Sequence, residues 1–294
     1  MRESERPKEA FLLGVNISRS ISPACQNVAF RKSKINATYD LRELDPSGLP
    51  KFVRSLSSIS KDVLGFNVTA PFKEEIIDFL SSLDPRSKAI GAVNTVKVSK
   101  SGKLIGFNTD FDGIVASLNR LHVLNKSKKN RKAVAMVIGA GGAARACVYT
   151  LLENGFSRII ILNRTFERAR QISSQFSKSF PKSKIEVYPL TEANLHSFVN
   201  ECGLIINAIS SSNEHYFPTK IDFAGAERDT KVFDLGYKGE SLFLKSARKN
   251  HLKSIDGKLM LVVQASKSFE IWTGRKFPLK ALMAAATKAL RDQA

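Results

Sequence analysis

The stretch AVAMVIGAGGAAR, residues 133–145, decides the fold, because an apolar run passes directly into closely spaced glycines and then into helix-forming residues. Gly139 permits a tight turn, Gly141 lets the backbone approach a pyrophosphate, and Ala144 allows close packing of a helix on a strand. A helix starting near Gly142 directs its free N–H groups and positive dipole end at phosphates. The stretch predicts a dinucleotide-binding turn, although a glycine-rich turn also simply joins strands to helices.

The next strand-like run, residues 158–162, indicates which dinucleotide is bound. An NAD site places an acidic residue after this strand, on the ribose hydroxyls, but the sequence there is Asn163-Arg164-Thr165. Arg164, with Arg168 one helical turn further on, is suited to a 2′-phosphate, which guanidinium groups bind in a bidentate manner. We interpret the site as one for NADP. The alternative is two surface arginines on a basic protein.

Length and composition indicate a folded chain of two domains. The chain has 294 residues, of which 43% are hydrophobic, enough for two cores. Its 46 Lys and Arg against 27 Asp and Glu give a net charge of +19, which suits nucleic acid, an anionic membrane surface, or small anionic substrates and cofactors. The densest basic run, residues 126–132, lacks aromatic residues for base stacking, so we interpret it as a solvated loop and expect no nucleic-acid partner.

Cysteine usage and the N-terminus indicate a cytoplasmic protein. The three cysteines are far apart and form no spaced pair with the four histidines, so we expect neither disulfides nor a metal site. Residues 1–9 lack an apolar signal core, and no apolar run approaches the ~20 residues that span a bilayer. We therefore expect no membrane partner.

Alternating strand-like and helical runs predict an α/β fold built from βαβ units. Strands are predicted at 10–15, 38–41, 63–68, 92–98, 104–108, 158–162, 185–187, 203–207, 232–234 and 253–255. Helices are predicted at 23–32, 50–57, 72–83, 112–121, 258–273 and 278–291. We expect a first α/β domain over 1–111, a Rossmann-type domain over 112–255, and closing helices over 256–294 that return to the first domain. A ligand site is then expected in the cleft between the domains.

Three polar segments of the first domain predict acid–base chemistry. In residues 67–74, NVTAPFKE, a strand ends in polar residues and Pro71 opens a predicted helix whose first turn carries Lys73. The helix dipole would make this ammonium release its proton more readily. The segments GAVNT (91–95) and GFNTD (106–110) again place amides, hydroxyls and a carboxylate at strand ends. Lys73 with Asp110 is the predicted acid–base pair, although Asn, Thr and Asp also cap ordinary turns and helices.

Near the N-terminus, Ser20-Ile21-Ser22-Pro23 precedes a predicted helix. Hydroxyls and free backbone N–H groups at a helix start suit a carboxylate ligand. The alternative is an ordinary Ser-Pro helix cap.

Together and in this order, these motifs resemble the shikimate dehydrogenase family over nearly the whole chain. The resemblance implies NADPH-dependent, reversible reduction of 3-dehydroshikimate to shikimate, a step in forming aromatic amino acid precursors, by a monomer or homodimer. It implies Lys73 and Asp110 as catalytic residues. It implies these substrate-binding residues: Ser20, Ser22, Asn67, Thr69, Asn94, Tyr237 and Gln264. It implies these cofactor-binding residues: Gly139, Ala140, Gly141, Gly142, Ala143, Asn163, Arg164 and Thr165. Arg168 is added to them by its position one helical turn after Arg164.

Four positions depart from the usual pattern of the family: Arg19, Gln26, Ile209 and Leu259. The glutamine at position 26 resembles the pattern of the quinate/shikimate dehydrogenase branch. A leucine at position 259 would crowd the nicotinamide. One alternative is therefore a quinate or broad-range dehydrogenase that uses NAD. Another alternative is a non-catalytic or nucleic-acid-binding protein that keeps the fold. The net charge of +19 is the observation that suggests it.

Overall fold

The computed structural model describes residues 6–59, 62–124, 134–209 and 222–293. The chain divides into two compact units: unit 1 comprises Met1–Gly113 and Leu261–Ala294, and unit 2 comprises Ile114–Met260. It passes from unit 1 to unit 2 within one helix, Asp110–Arg120, and returns within another, Lys258–Thr273. The basic run at 126–132 lies outside the described residues.

Unit 1 contains a mixed six-stranded sheet. Its strands are β1 (Lys8–Gly14), β2 (Ala37–Glu43), β3 (Val63–Val68), β4 (Ser82–Leu83), β5 (Thr95–Val98) and β6 (Leu104–Phe107), in the order β2-β1-β3-β5-β6-β4. β1 pairs parallel with β2 and β3, whereas β5 is antiparallel to both β3 and β6. β5 and β6, which follow each other in the chain, form an antiparallel hairpin. The carboxyl ends of β1, β3 and β6 and the amino end of β5 meet at one edge, which we call the site edge.

The helices of unit 1 follow or cover this sheet. They are α1 (Ser22–Lys32), α2 (Leu49–Ile59), α3 (Pro85–Ile90), the start of α4 (Asp110–Arg120), most of α9 (Lys258–Thr273) and α10 (Leu279–Asp292). Phe11 and Phe66 stack at a centroid distance of 5.2 Å in the core between the sheet and its helices. This packing buries the apolar face of the strands and leaves their polar ends at the site edge.

The helix predicted over residues 72–83 is wrong. A short 3₁₀-helix occupies Glu75–Phe79, and the chain then becomes β4, with the Ser81 and Asp84 N–H groups bonded to the carbonyl oxygens of Leu104 and Gly106. The apolar residues of this region lie in the core, Phe72 and Ile76 among them. Pairing with β6 outweighs local helix propensity here.

The closing helices return to unit 1, as predicted. On α9, Trp272 donates from Nε1 to the carbonyl oxygen of Val96 at 2.9 Å. Gly65 makes this approach possible, since a Cβ at position 65 would lie 2.3 Å from the Trp272 nitrogen. α10 packs against α1, where the Cys25 thiol lies 4.0 Å from the Leu282 carbonyl oxygen.

Unit 2 contains an all-parallel six-stranded sheet. Its strands are β7 (Val134–Ile138), β8 (Arg158–Asn163), β9 (Lys184–Pro189), β10 (Leu204–Asn207), β11 (Lys231–Asp234) and β12 (Lys253–Ile255). Its helices include α5 (Gly142–Glu153), α6 (Phe166–Ser179), α7 (Glu192–Val199) and α8 (Leu242–Lys249). The strand order β9-β8-β7-β10-β11-β12 is 3-2-1-4-5-6 within the unit, the Rossmann arrangement. The α/β fold class is therefore confirmed.

In the described part of the chain, no helix combines the length and the apolar character that crossing a membrane would require. The same part contains no group of three or more His, Cys, Asp and Glu side chains arranged to hold a metal ion.

Candidate functional site

The site edge of unit 1 collects the three polar segments of the sequence. Asn67 lies on β3 beside Thr95 of β5, which in turn lies beside Phe107 of β6. Asn94 comes just before β5 and so stands at the amino end of a strand, not at the carboxyl end that the sequence suggested. Because β5 runs antiparallel to its neighbours, Asn94 still reaches the same edge, and Asp110 opens α4 beside it.

Lys73 and Asp110 form an ion pair at this edge. Lys73 Nζ lies 2.6 Å from Asp110 Oδ2, and the two side chains are 13% and 5% exposed. No α-helix begins at Pro71 within the described residues, so the expected dipole effect on Lys73 is wrong. The Asp110 carboxylate, rather than a helix terminus, is the charge that orients the ammonium.

The amide of Asn94 fixes the other oxygen of Asp110. The Thr109 backbone N–H donates to Asn94 Oδ1 at 2.8 Å, and a backbone N–H can only donate. The oxygen of the Asn94 amide must therefore face Thr109, which leaves Nδ2 to donate to Asp110 Oδ1 at 2.8 Å. Both carboxylate oxygens of Asp110 are thus engaged, and the carboxylate is held in one orientation.

The orientation of the Asn67 side-chain amide follows from the same kind of argument. Its Nδ2 donates to the carbonyl oxygen of Asn94 at 3.0 Å, which can only accept, and its Oδ1 accepts from the Tyr39 hydroxyl at 2.8 Å. Tyr39 is fully buried on β2, and Asn27 of α1 bonds to both its backbone N–H and its carbonyl oxygen. Tyr39 was missed by the sequence reasoning because a buried tyrosine on a strand carries no motif.

Three buried hydroxyls from separate elements pack between Asn67 and Asn94; we call Thr95, Thr109 and Ser268 the hydroxyl cluster. Ser268 Oγ lies 2.8 Å from Thr95 Oγ1 and 3.3 Å from Thr109 Oγ1. Gln264 lies one turn before Ser268 on α9, and its Oε1 is 3.4 Å from Asn94 Nδ2. The structure thus brings Lys73, Asp110, Asn94, Asn67 and Gln264 into one network, and the cluster itself was missed.

The two serines before α1 contact each other. Ser20 Oγ donates to Ser22 Oγ at 3.2 Å, and the Ser22 N–H donates to Ser20 Oγ at 3.3 Å. Ile21, at the N-cap position of α1, offers no capping side chain, and Ser20 Oγ instead accepts from the first N–H of the helix. Thr69 follows β3, and its N–H bonds to the carbonyl oxygen of Leu13. These residues adjoin the carboxyl ends of β1 and β3.

In unit 2, the glycine turn has the geometry of a phosphate site. Gly139 follows β7 with φ +113° and packs on the backbone of Ala208, which follows β10, at the point where the strand order reverses. A Cβ built on Gly141 would meet nothing within 4 Å, so the space beside this turn is open. α5 begins at Gly142 without a capping side chain, which leaves its first N–H groups for a ligand. The residues present in this turn, Gly139 through Ala143, fit a dinucleotide pyrophosphate.

The arginines predicted to select the dinucleotide lie at the carboxyl end of β8. Arg164 follows the strand and Arg168 lies in the first turn of α6, and both are exposed. Asn163 Nδ2 donates to the carbonyl oxygen of Thr165 at 2.8 Å, which shapes the turn between them. This placement fits a 2′-phosphate held at the strand end.

Tyr237 lies in unit 2, in the loop after β11. Asp234, at the end of β11, organises the start of this loop, because its Oδ1 accepts from the Gly236 N–H at 2.9 Å and its Oδ2 from the Ser241 hydroxyl at 2.5 Å. Asn207 Nδ2 also donates to Oδ1 at 3.0 Å. Burial raises the pKa of Asp234, and these hydrogen bonds oppose the shift. Asp234 was not predicted, although a carboxylate ending a Rossmann strand is a recognisable signal.

A parallel sheet in this order, with an open glycine turn at its reversal point, is a dinucleotide-binding architecture. Together with a buried lysine–carboxylate pair in unit 1, it defines a two-domain, dinucleotide-dependent oxidoreductase. Residues 12–96 match the model of the shikimate dehydrogenase substrate binding domain, and residues 122–236 match that of shikimate / quinate 5-dehydrogenase. The chain belongs to the shikimate dehydrogenase family.

Individual relatives agree over nearly the full chain. Shikimate dehydrogenase (NADP(+)) of Caldanaerobacter subterraneus is 35% identical over 268 residues, covering 90% of this chain and 91% of the relative. A crystal structure of a shikimate dehydrogenase in complex with NADP⁺ aligns with a TM-score of 0.81 and 30% identity, covering 96% and 95% of the two chains. The enzyme from Thermus thermophilus, in complex with NADP(H) and shikimate, aligns at 0.75 and 28%, covering 96% and 99%.

Proposed function

We propose that this chain catalyses the NADPH-dependent, reversible reduction of 3-dehydroshikimate to shikimate. The observation that carries the proposal is the 2.6 Å pair of Lys73 Nζ and Asp110 Oδ2, with Asp110 held from its other side by Asn94. Such a pair places an oriented proton donor in a polar, largely buried site. The relatives' names and the Thermus thermophilus complex support the same substrate and cofactor.

Lys73 is the proposed proton donor and acceptor. In the reduction, the ammonium gives one proton to the ketone oxygen, which becomes the new hydroxyl; in the oxidation, the neutral amine takes that proton back. Asp110 orients the Lys73 Nζ and accepts a hydrogen bond from the adjacent substrate hydroxyl. Orientation is the main contribution of this pair, because proton transfer needs donor and acceptor within hydrogen-bond reach.

The remaining substrate residues divide between the carboxylate and the hydroxyls. Ser20 and Ser22 are proposed to bind the substrate carboxylate with their hydroxyls and the nearby N–H groups of α1. The substrate hydroxyls are proposed to be bound by Asn67, Thr69, Asn94, Tyr237 and Gln264. Polar groups that are left unpaired without a hydroxyl on the ligand give strong discrimination, so these residues select the substrate.

NADP is proposed to bind unit 2, where its reduced form would supply the hydride for the reduction and its oxidised form would accept it in the oxidation. The N–H groups of the glycine turn, residues 139–143, bind the pyrophosphate, and the open space beside Gly141 admits it. Arg164 and Arg168, with Asn163 and Thr165 shaping the turn, bind the 2′-phosphate and so favour NADP over NAD.

We also propose a cytoplasmic enzyme that works as a monomer or homodimer on small molecules, with no nucleic acid partner. Cys25, Cys147 and Cys202 are all buried free thiols, which suits a reducing compartment. Gel filtration with light scattering, with and without added DNA, tests this state.

The test of the function follows the absorbance of reduced cofactor with purified protein in four combinations: shikimate or quinate, each with NADP or NAD. We expect the highest kcat/KM with shikimate and NADP. A preference for quinate or NAD would favour the broad-range alternative, for which Gln26 and Leu259 are the residues to examine. A folded protein that is silent in all four mixtures would contradict the proposal.

A further inference from the structure

Ser268 occupies the centre of the hydroxyl cluster without being one of the residues assigned to the substrate. It is fully buried on α9, and its Oγ lies 3.0 Å from Asn67 Nδ2 and 2.8 Å from Thr95 Oγ1. The same Oγ donates to the carbonyl oxygen of Gln264 at 3.0 Å. One hydroxyl thus connects α9 with residues of β3 and β5.

The cluster leads directly to the Lys73–Asp110 pair. Thr95 Oγ1 and Thr109 Oγ1 lie 3.0 Å and 3.2 Å from Asn94 Oδ1, and each hydroxyl has one proton. Because Ser268 gives its own proton to the Gln264 carbonyl oxygen, one threonine hydroxyl donates to Asn94 and the other is left to donate to Ser268 Oγ. Asn94 then donates to Asp110 from its other end. A displacement of the cluster therefore rotates the Asn94 amide and loosens the carboxylate that orients Lys73.

We propose that Ser268 is a positioning residue for the reaction, which sets the orientation of Asn94 and Asp110 through Thr95 and Thr109. This inference rests on the proposed function of the Lys73–Asp110 pair. Ser268 contacts Asn67 and the Gln264 backbone and does not contact Lys73 or Asp110 directly. Its loss is therefore expected to affect the proton transfer, and to leave the serine pair proposed to bind the carboxylate unchanged. Buried polar networks of this kind act as units, because an unpaired member in a low-dielectric site is costly.

Two substitutions separate hydrogen bonding from packing. Ser268→Ala removes the hydroxyl, and Ser268→Cys refills its volume with a weak donor and acceptor. We expect kcat for shikimate oxidation to fall by about tenfold in both variants, with KM for shikimate within about twofold, because orientation in the transition state is lost and ground-state binding is kept. Ser266→Ala is the matched control: it removes a half-buried hydroxyl from the same helix, bonded to the Phe277 carbonyl oxygen at 3.2 Å.

A substrate-free readout keeps this inference separate from the proposed function. With ¹⁵N-asparagine labelling, the side-chain amide resonances of Asn94, assigned through Asn94→Asp, should shift in both Ser268 variants and stay unchanged in Ser266→Ala. Wild-type inactivity would contradict the proposed function, while shifted Asn94 resonances would still support the positioning role. Unchanged Asn94 resonances, or full recovery of kcat in Ser268→Cys, would overturn the role of Ser268.

Discussion

The substitution Asp110→Asn tests the geometry of the acid–base pair. It removes the charge 2.6 Å from Lys73 Nζ and places an amide where Asp110 Oδ1 accepts from Asn94 Nδ2. Whichever way the new amide points, its NH₂ group faces a donor, either Lys73 or Asn94. The variant therefore breaks at least one of the two hydrogen bonds and leaves the Lys73 ammonium without its carboxylate.

The expected loss follows from the strength of that contact. A hydrogen bond to a charged group contributes ~1.5–3 kcal/mol, and each 1.36 kcal/mol is a tenfold change in rate. With the pair only 13% and 5% exposed, solvent replaces little of it. We therefore expect kcat/KM for shikimate to fall by about 10- to 150-fold.

The assay is initial-rate oxidation of shikimate with NADP, alongside thermal unfolding to show that the variant is folded. Asp112→Asn is the matched control: it lies on the same helical turn and its carboxylate is paired with Arg86 at 3.6 Å, away from Lys73. The control should keep kcat/KM within about twofold of wild type. A folded Asp110→Asn enzyme with the activity of the control would refute the reasoning.

Three further predictions address the cofactor site, pH dependence and the thiols. Arg164→Ala should lower kcat/KM for NADP by about 10- to 100-fold and leave that for NAD unchanged, since only NADP carries the 2′-phosphate; equal losses with both cofactors would contradict this. Because burial raises the pKa of Asp234, its protonated form favours folding, and that contribution is lost as pH rises through the raised value. In urea unfolding, the free energy of unfolding of Asp234→Asn minus that of wild type should therefore increase from pH 4 to pH 7. A difference that decreases over this range would count against the prediction. Burial raises the pKa of the Cys25 thiol to about 12, and all three cysteines are buried, so Ellman's reagent should label none of them in the folded protein; rapid labelling of any thiol before unfolding would show that the burial is wrong.

Much of the fold could be predicted because local signals and tertiary structure agree. The apolar run before Gly139 becomes β7, and the helix expected near Gly142 begins there. The helix prediction over 72–83 failed because it took Pro71 as a helix start, while pairing with β6, which is distant in sequence, makes part of this region a strand. Asp84-Pro85 is a strong helix-start signal, yet α3 was not predicted from the sequence.

Site residues could be predicted from the sequence only where they lie in short motifs of functional residues. Lys73 and Asp110 lie in such segments, and the structure pairs them directly. Ser268 and Tyr39 have no local signature, since their importance arises from contacts with Asn67 across 201 and 28 residues of sequence. Contacts between residues so far apart in the chain depend on the tertiary fold. They leave no periodic or compositional signal in the sequence.

The most direct test of the account compares wild type with Lys73→Met in shikimate oxidation with NADP, at matched folding stability. The proposed role of Lys73 as proton donor and acceptor predicts that kcat falls by about 100-fold or more while KM for shikimate changes little, because general acid–base catalysis contributes about 10²–10⁴-fold. A folded Lys73→Met enzyme that keeps kcat close to the wild-type value would contradict the central claim.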